Sequence, residues 1–252
     1  MRKRILSCAA VLAIVAGFAT AQQMKPKSKK EIEAIQAVQA AKTPDERIAA
    51  VDALITKFAD TEFKSWAQEM AADAELRKGD TVKALVYAQN ALDADPKNYQ
   101  AMLLMSGEIA RGTRENDLDK DEKLAKADKL ANDAIAAVNT AVKPNPAITD
   151  SQWADAKKDF VSQGHEDLGL VAMARKKNDV AITEFKTAVD GTGTPDPVVM
   201  ARLAAAYNVG GKPDEAIDMA SKVLAMPGAS DAVKKFAQNE KTRAEQAKNA
   251  HK

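Results

Sequence analysis

The sequence predicts an all-α protein, and three observations carry that prediction. Alanine, the strongest intrinsic helix former, supplies 51 of the 252 residues, while aromatic residues make up only 4%. The nine prolines fall at Pro26, Pro44, Pro96, Pro144, Pro146, Pro195, Pro197, Pro213 and Pro227. Proline is expelled from helix interiors, so the segments between them read as helices. No run of period-two alternation flanked by hairpin turns occurs, and strands are not required.

The chain opens on a leader pattern. Arg2, Lys3 and Arg4 precede an apolar stretch over residues 5–18, and Ala19-Thr20-Ala21 supplies small residues at a cleavage site, which predicts export with cleavage before Gln22. The apolar stretch falls short of the roughly 20 residues that span a bilayer as a helix, so no stable membrane insertion is expected after cleavage. Ile5-Leu6-Ser7-Cys8 loosely resembles a lipoprotein signal, but most of the apolar stretch follows Cys8 rather than preceding it. The mature chain carries 34 basic against 36 acidic residues and no cysteine. It is expected in the periplasm, with secretion as the alternative, held together by packing without disulfides.

Composition also excludes chemistry. Two histidines and one cysteine cannot build a four-ligand structural zinc site or a disulfide framework. A balance of 37 basic to 36 acidic residues argues against a protein that grips nucleic acid by neutralising phosphates. No cofactor and no metal are expected.

The elements follow in order. Residues 22–42 read as a linker with a helix. Thr43-Pro44-Asp45-Glu46 places an N-cap Thr, a proline at the first helical position and a Glu able to close a capping box, and the following stretch reaches Trp66 through the joint Phe58-Ala59-Asp60-Thr61. Gly79 suits a tight turn into a helix that Asp93-Ala94-Asp95-Pro96 closes. Residues 99–111, with Met102, Met105 and Ile109 on one face, form the next helix. Its partner is delayed by Asn116 to Glu122 and runs near 122–142 with Ala127, Ala131, Ala134 and Ile135 at helical spacing. Thr149 and Gln152 repeat the helix-start signature before Trp153. The segments drawn this way are 1–21, 22–42, 43–111, 112–160, 161–228 and 229–252, the last a C-terminal helix with a polar tail.

A repeat runs through these helices. Gly79-Asp80-x3-Ala84-Leu85-x2-Ala88-x2-Ala91-Leu92 aligns with Asp179-x-Ala181-Ile182-x2-Phe185-x2-Ala188-Val189 and with Asp214-x-Ala216-Ile217-x2-Ala220-x2-Val223-Leu224. Ala181 and Ala216 stand 35 residues apart, close to the 34-residue tetratricopeptide period. Leu168-Gly169 with Ala172, and Met200-x2-Leu203-Ala204-x2-Tyr207, fill matching slots in the preceding helices. The sequence therefore resembles the tetratricopeptide repeat family, exported bacterial type, which implies an α-solenoid of stacked helical hairpins, here about four units, some degenerate. Each hairpin cannot bury its apolar face alone and stacks on its neighbours. Small Ala84, Ala91, Ala181, Ala188 and Ala216 are expected at close contacts, with Phe185 and Tyr207 filling wider gaps and Gly211 in a turn.

Candidate chemistry is sparse. His165-Glu166 begins a zinc-protease motif whose fifth position is Gly169, and Gly210-Gly211-Lys212 lacks the Ser or Thr and the upstream glycine of a phosphate loop. Asp117, Asp119 and Asp121 start as a calcium loop does, but Glu122 stands where glycine is needed and Asp128 where a bidentate Glu belongs. That segment reads as a solvated acidic connector, with a weak calcium site as the alternative. Lys176-Lys177 and Lys234-Lys235 lie among carboxylates and read as solvated helix faces. Met102, Met105, Met173, Met200 and Met219 read as core filling rather than a binding surface.

The family resemblance implies a concave groove lined by first helices, which by position brings Gln163, Glu166, Leu170 and Met173 beside Val198, Ala201, Ala205 and Asn208. These positions lack the Lys and Arg of family members that clamp a C-terminal carboxylate. The expected partner is a partly apolar peptide or helix of another cell-envelope protein, bound without catalysis; the alternative is a structural or assembly component of the envelope.

Overall fold

The computed structural model describes residues 24–145 and 147–250. The leader, its cleavage site, Cys8 and His251 lie outside them. Eleven helices and no strand occur among the described residues: α1 (Lys29–Ala40), α2 (Pro44–Lys57), α3 (Lys64–Lys78), α4 (Thr81–Ala94), α5 (Tyr99–Gly112), α6 (Lys120–Thr140), α7 (Asp150–Ala174), α8 (Asn178–Asp190), α9 (Pro197–Val209), α10 (Pro213–Ala225) and α11 (Asp231–Ala250). The all-α expectation holds. Along the chain the eleven helices follow one another as antiparallel pairs, with α1 packed on α2.

Local chemistry sets the helix ends. Thr43 and Glu46 close the expected capping box at α2, and Thr149 and Gln152 exchange backbone-to-side-chain hydrogen bonds at α7. Ser28, Asp80 and Asp196 cap α1, α4 and α9. Three hairpins turn in the same way. The N–H groups of Asp80, Lys177 and Lys212 donate to the carbonyls of Glu75, Ala172 and Tyr207 at 3.0, 2.9 and 2.9 Å, which closes a Schellman turn. The residue before each donor is left-handed: Gly79 at φ 83, Lys176 at φ 56 and Gly211 at φ 69. Two are the glycines expected from sequence, and the third is a lysine.

The helices group into two compact units. In the N-terminal unit, which takes residues up to Glu108 and 133–156, Ile35 and Val38 of α1 pack on Val51 and Leu54 of α2 and on Phe63, Ala67 and Ala71 of α3. Trp66 meets Phe63 edge-on at 6.3 Å between ring centroids. Thr61 of the joint makes a buried polar link: its hydroxyl donates to Glu31 Oε1 at 2.6 Å and accepts from the Phe63 N–H at 3.2 Å. Ser65 ties α3 to its neighbours, donating to the Ala91 carbonyl and accepting from Asn98 Nδ2, both at 2.9 Å.

The C-terminal unit comprises residues 109–132 and those from Lys157 onward. Its core joins Ala172 of α7, Ala181, Phe185 and Ala188 of α8, Leu203 and Ala204 of α9, Ala220 and Val223 of α10 and Ala237 of α11. The alanines named from the repeat, Ala84, Ala91, Ala181, Ala188 and Ala216, are all buried, as are Phe185, Met102, Met105 and Met200. Met173 and Met219 pack against the core half-buried, so the core-filling expectation for the methionines holds. Gly169 permits the close approach of α7 to α8, because a Cβ there would lie 2.7 Å from the Phe185 ring.

Candidate functional site

The expected groove residues lie in the C-terminal unit on α7 and α9, the first helices of successive hairpins. α7 carries Gln163, Glu166, Leu170 and Met173; α9 carries Val198, Ala201, Ala205 and Asn208. Their surroundings differ. Val198 is 37% exposed, while Ala205 and Gln163 are half-buried. Ala201 is buried and forms part of the core. Leu170 packs on two apolar clusters, one with Ala110, Leu124 and Ala127 and the other with the α8–α11 core, and Met173 packs on the second.

Two of the eight are committed to neighbouring helices. Glu166, 8% exposed, pairs with the Arg202 guanidinium of α9. Asn208 donates through Nδ2 to the carbonyl oxygen and to Oε2 of Glu240 on α11, at 2.8 and 2.7 Å, and so seats the last helix. The lining is thus less acidic than the repeat positions alone imply, because Arg202, one residue past Ala201, neutralises the carboxylate. Composition hides that pair. Its signal is an opposite charge one repeat further on, visible only once the first-helix register is fixed.

Other singled-out residues are accounted for locally. His165 Nδ1 lies 2.7 Å from Glu184 Oε2 of α8, which ties α7 to α8. Gly210-Gly211-Lys212 forms the α9–α10 turn. In the acidic connector the Lys123 ammonium lies 3.1 Å from Asp117 and 2.9 Å from Asp119, where a bound cation would have to sit. Asp117 also accepts from the Arg114 N–H. Glu115 takes hydrogen bonds from Lys120 and Lys176 at 2.8 and 2.9 Å, and these hold its carboxyl down to about 2. Among the described residues no cluster of three or more His, Cys, Asp or Glu side chains could hold a metal ion, and no helix is long and apolar enough to cross a membrane.

Antiparallel helix pairs joined by repeated Schellman turns, with alanines at the close contacts, define a tetratricopeptide-repeat fold of the α-solenoid class. A solved structure shares this fold. A thermophilic tetratricopeptide-repeat protein from Thermus thermophilus aligns at a TM-score of 0.57 and 16% identity, over 84% of this chain and 95% of that chain. A tetratricopeptide-repeat protein from Parabacteroides merdae aligns at 0.39 and 15% identity, over 88% of this chain and 90% of that one. No family model and no curated protein matches the chain.

Proposed function

We propose that this chain is an exported, non-catalytic adaptor that holds a partly apolar peptide or helix of another cell-envelope protein along α7 and α9. The observation that carries this reading is the pairing of exposed Val198 with half-buried Ala205, Leu170 and Met173 on adjacent first helices. Small side chains there leave room for an incoming chain, and the Glu166–Arg202 pair leaves no unbalanced charge for it to meet. Tetratricopeptide folds generally serve protein–protein contacts. The apolar leader over residues 5–18 supports export, and the start of the mature protein at Gln22 tests it by N-terminal sequencing.

The groove is tested by a photocrosslinking residue placed at Val198 in cells, with a control at Val86 on α4, which is also exposed. A discrete crosslinked partner from position 198, absent from position 86 and lost when Ala205→Arg is added, is the expected result; equal crosslinking from both positions refutes the groove. Leu170 and Met173 are poor probes, since acidic residues there would strike the core they pack against. Sedimentation of the mature chain as a monomer supports the adaptor, whereas a large homogeneous assembly would make it a structural component of the envelope.

A further inference from the structure

A cleft of the N-terminal unit gathers more cations than it has carboxylates to match them. Lys42, Thr43 and Arg47 line it from the α1–α2 turn and the start of α2, and Asp73 and Arg77 line it from the end of α3. Asp73 pairs with Arg77 at 2.7 Å, so one carboxylate faces three cations. The neighbouring acids are spent elsewhere. Asp45 pairs with Lys78 at 2.8 Å, and Glu46 Oε2 accepts from the N–H groups of Lys42 and Thr43 at 2.8 and 3.2 Å. The exposed Lys42 ammonium has no ion-pair partner among the described residues.

Arg47 adds an idle donor. Its Nη2 group donates to the Ala41 carbonyl at 2.8 Å, while its Nε is buried without a partner. A buried donor left without an acceptor costs free energy that an acceptor oxygen on a ligand would recover. Glu69, buried on α3, does not supply the missing charge. Burial, and then the Asp73 charge, lift its carboxyl to about 8 against a smaller pull from Arg47, so it keeps its proton at neutral pH. The N-terminus of α2 is not itself the site, because the Thr43–Glu46 capping box occupies it and Pro44 carries no N–H.

We propose that this cleft is an oxyanion site that takes one phosphate group, free or as a monoester, between the Lys42 ammonium and the Arg47 and Arg77 guanidiniums, with a phosphate oxygen accepting from the Arg47 Nε–H. Charge selects the ligand. A phosphate monoester carries about −1.5 to −2 near neutral pH and balances the two cations left over by the Asp73–Arg77 pair, whereas a carboxylate would leave one unmatched. Planar guanidinium forks present paired donors to phosphate oxygens, and the lysine adds a point charge. The site lies within the N-terminal unit and does not rest on the groove of the C-terminal unit.

The test uses the full mature chain, with the folding of each variant checked by its amide spectrum. Inorganic phosphate and glycerol phosphate are titrated separately at constant ionic strength and neutral pH, while proton–nitrogen spectra follow the Arg47 Nε–H. Its signal should move downfield and saturate as a single site. Lys42→Met and Arg77→Gln should each weaken binding about tenfold, the loss of one charge-assisted hydrogen bond. Asp73→Asn should tighten it severalfold, and Lys235→Met on α11 should leave it unchanged. Binding of the ester, with or without the free ion, assigns the site to phosphate esters, and binding of inorganic phosphate alone assigns it to the free ion. A shift that sodium chloride reproduces, a shift that does not saturate with either ligand, or an equal loss in Lys235→Met and Lys42→Met would each overturn the site.

Discussion

The hairpins α3–α4 and α7–α8 follow one template and solve it with different residues. Glu69 and Glu166 stand equally far ahead of the aligned Ala84 and Ala181, and both are buried, at 7% and 8% exposure. In α7 the carboxylate is matched by Arg202 on the next first helix. The residue at the corresponding place on the N-terminal unit's next first helix is Met105, buried at 2%, which offers Glu69 no ion-pair partner. One repeat position therefore carries a structural ion pair in one unit and a carboxyl that favours its neutral form in the other. The lesson is that repeat register places a residue, while the residue one repeat further on decides whether it is paired.

The largest expected effect comes from making the second hairpin resemble the first. Arg202→Met leaves Glu166 buried without its cation and should destabilise the chain by about 3–5 kcal/mol, the usual cost of breaking a buried pair from one side. Urea unfolding measures it as a lowered midpoint. A loss below about 0.5 kcal/mol, typical of an exposed position, would mean that the pair is loosely solvated and the contrast with Glu69 is empty.

Next comes the converse change at Glu69. Its folded value of about 8 stands above the ordinary carboxylate value of 4.5, so folding favours the protonated form. The stability tied to that proton is fully present below pH 4.5 and is lost as the pH rises through 8. Glu69→Gln removes this dependence and should stabilise the chain by on the order of 3 kcal/mol at pH 8, with the gain vanishing toward pH 4.5. Parallel melting curves of the two proteins across that window measure the difference, and a gain independent of pH would contradict it.

Packing between the two helices differs by a reciprocal exchange of size. Gly169 faces Phe185 in α7–α8, and the same repeat slots in α3–α4 hold Ala72 and Ala88, both fully buried. Adding a Cβ at Gly169 would bring it within 2.7 Å of the Phe185 ring, so Gly169→Ala should cost about 1–3 kcal/mol by overpacking. In a Phe185→Ala background the same substitution recreates the Ala–Ala pair of the first hairpin and should cost close to nothing, a non-additivity that a double-mutant cycle reads directly. Equal costs in both backgrounds would show that the two slots do not touch.

These comparisons mark what the sequence made legible. Helix existence, the Thr43 and Thr149 starts and the repeat spacing were readable because proline, capping residues and alanine act locally or at fixed period. The Gly169–Phe185 pair was readable slot by slot but not as a contact. Of the groove residues, Val198 is exposed and Ala205 half-buried. Glu166 and Asn208 are taken up by Arg202 and by Glu240 of α11, partners more than 30 residues away that the groove register alone does not pick out. Glu69 escaped notice because a carboxylate on a polar-looking helix is ordinary until its burial is known.

The smallest effect concerns the turns. Gly79 and Gly211 adopt left-handed backbone at no steric cost, while Lys176 holds φ 56 in the equivalent Schellman turn against the crowding of its Cβ. Lys176→Gly removes that strain but gives back conformational entropy to the unfolded chain and forfeits an exposed ion pair with Glu115 at 2.9 Å, worth little in water. The net expectation is a gain of up to about 1 kcal/mol, seen as a small rise in urea midpoint with the slope unchanged. Lys176→Ala separates the two contributions, since it loses the ion pair and keeps the strain, and should be neutral or slightly destabilising. If both variants lose stability equally, the Lys176–Glu115 contact, rather than backbone geometry, is what holds the α7–α8 turn.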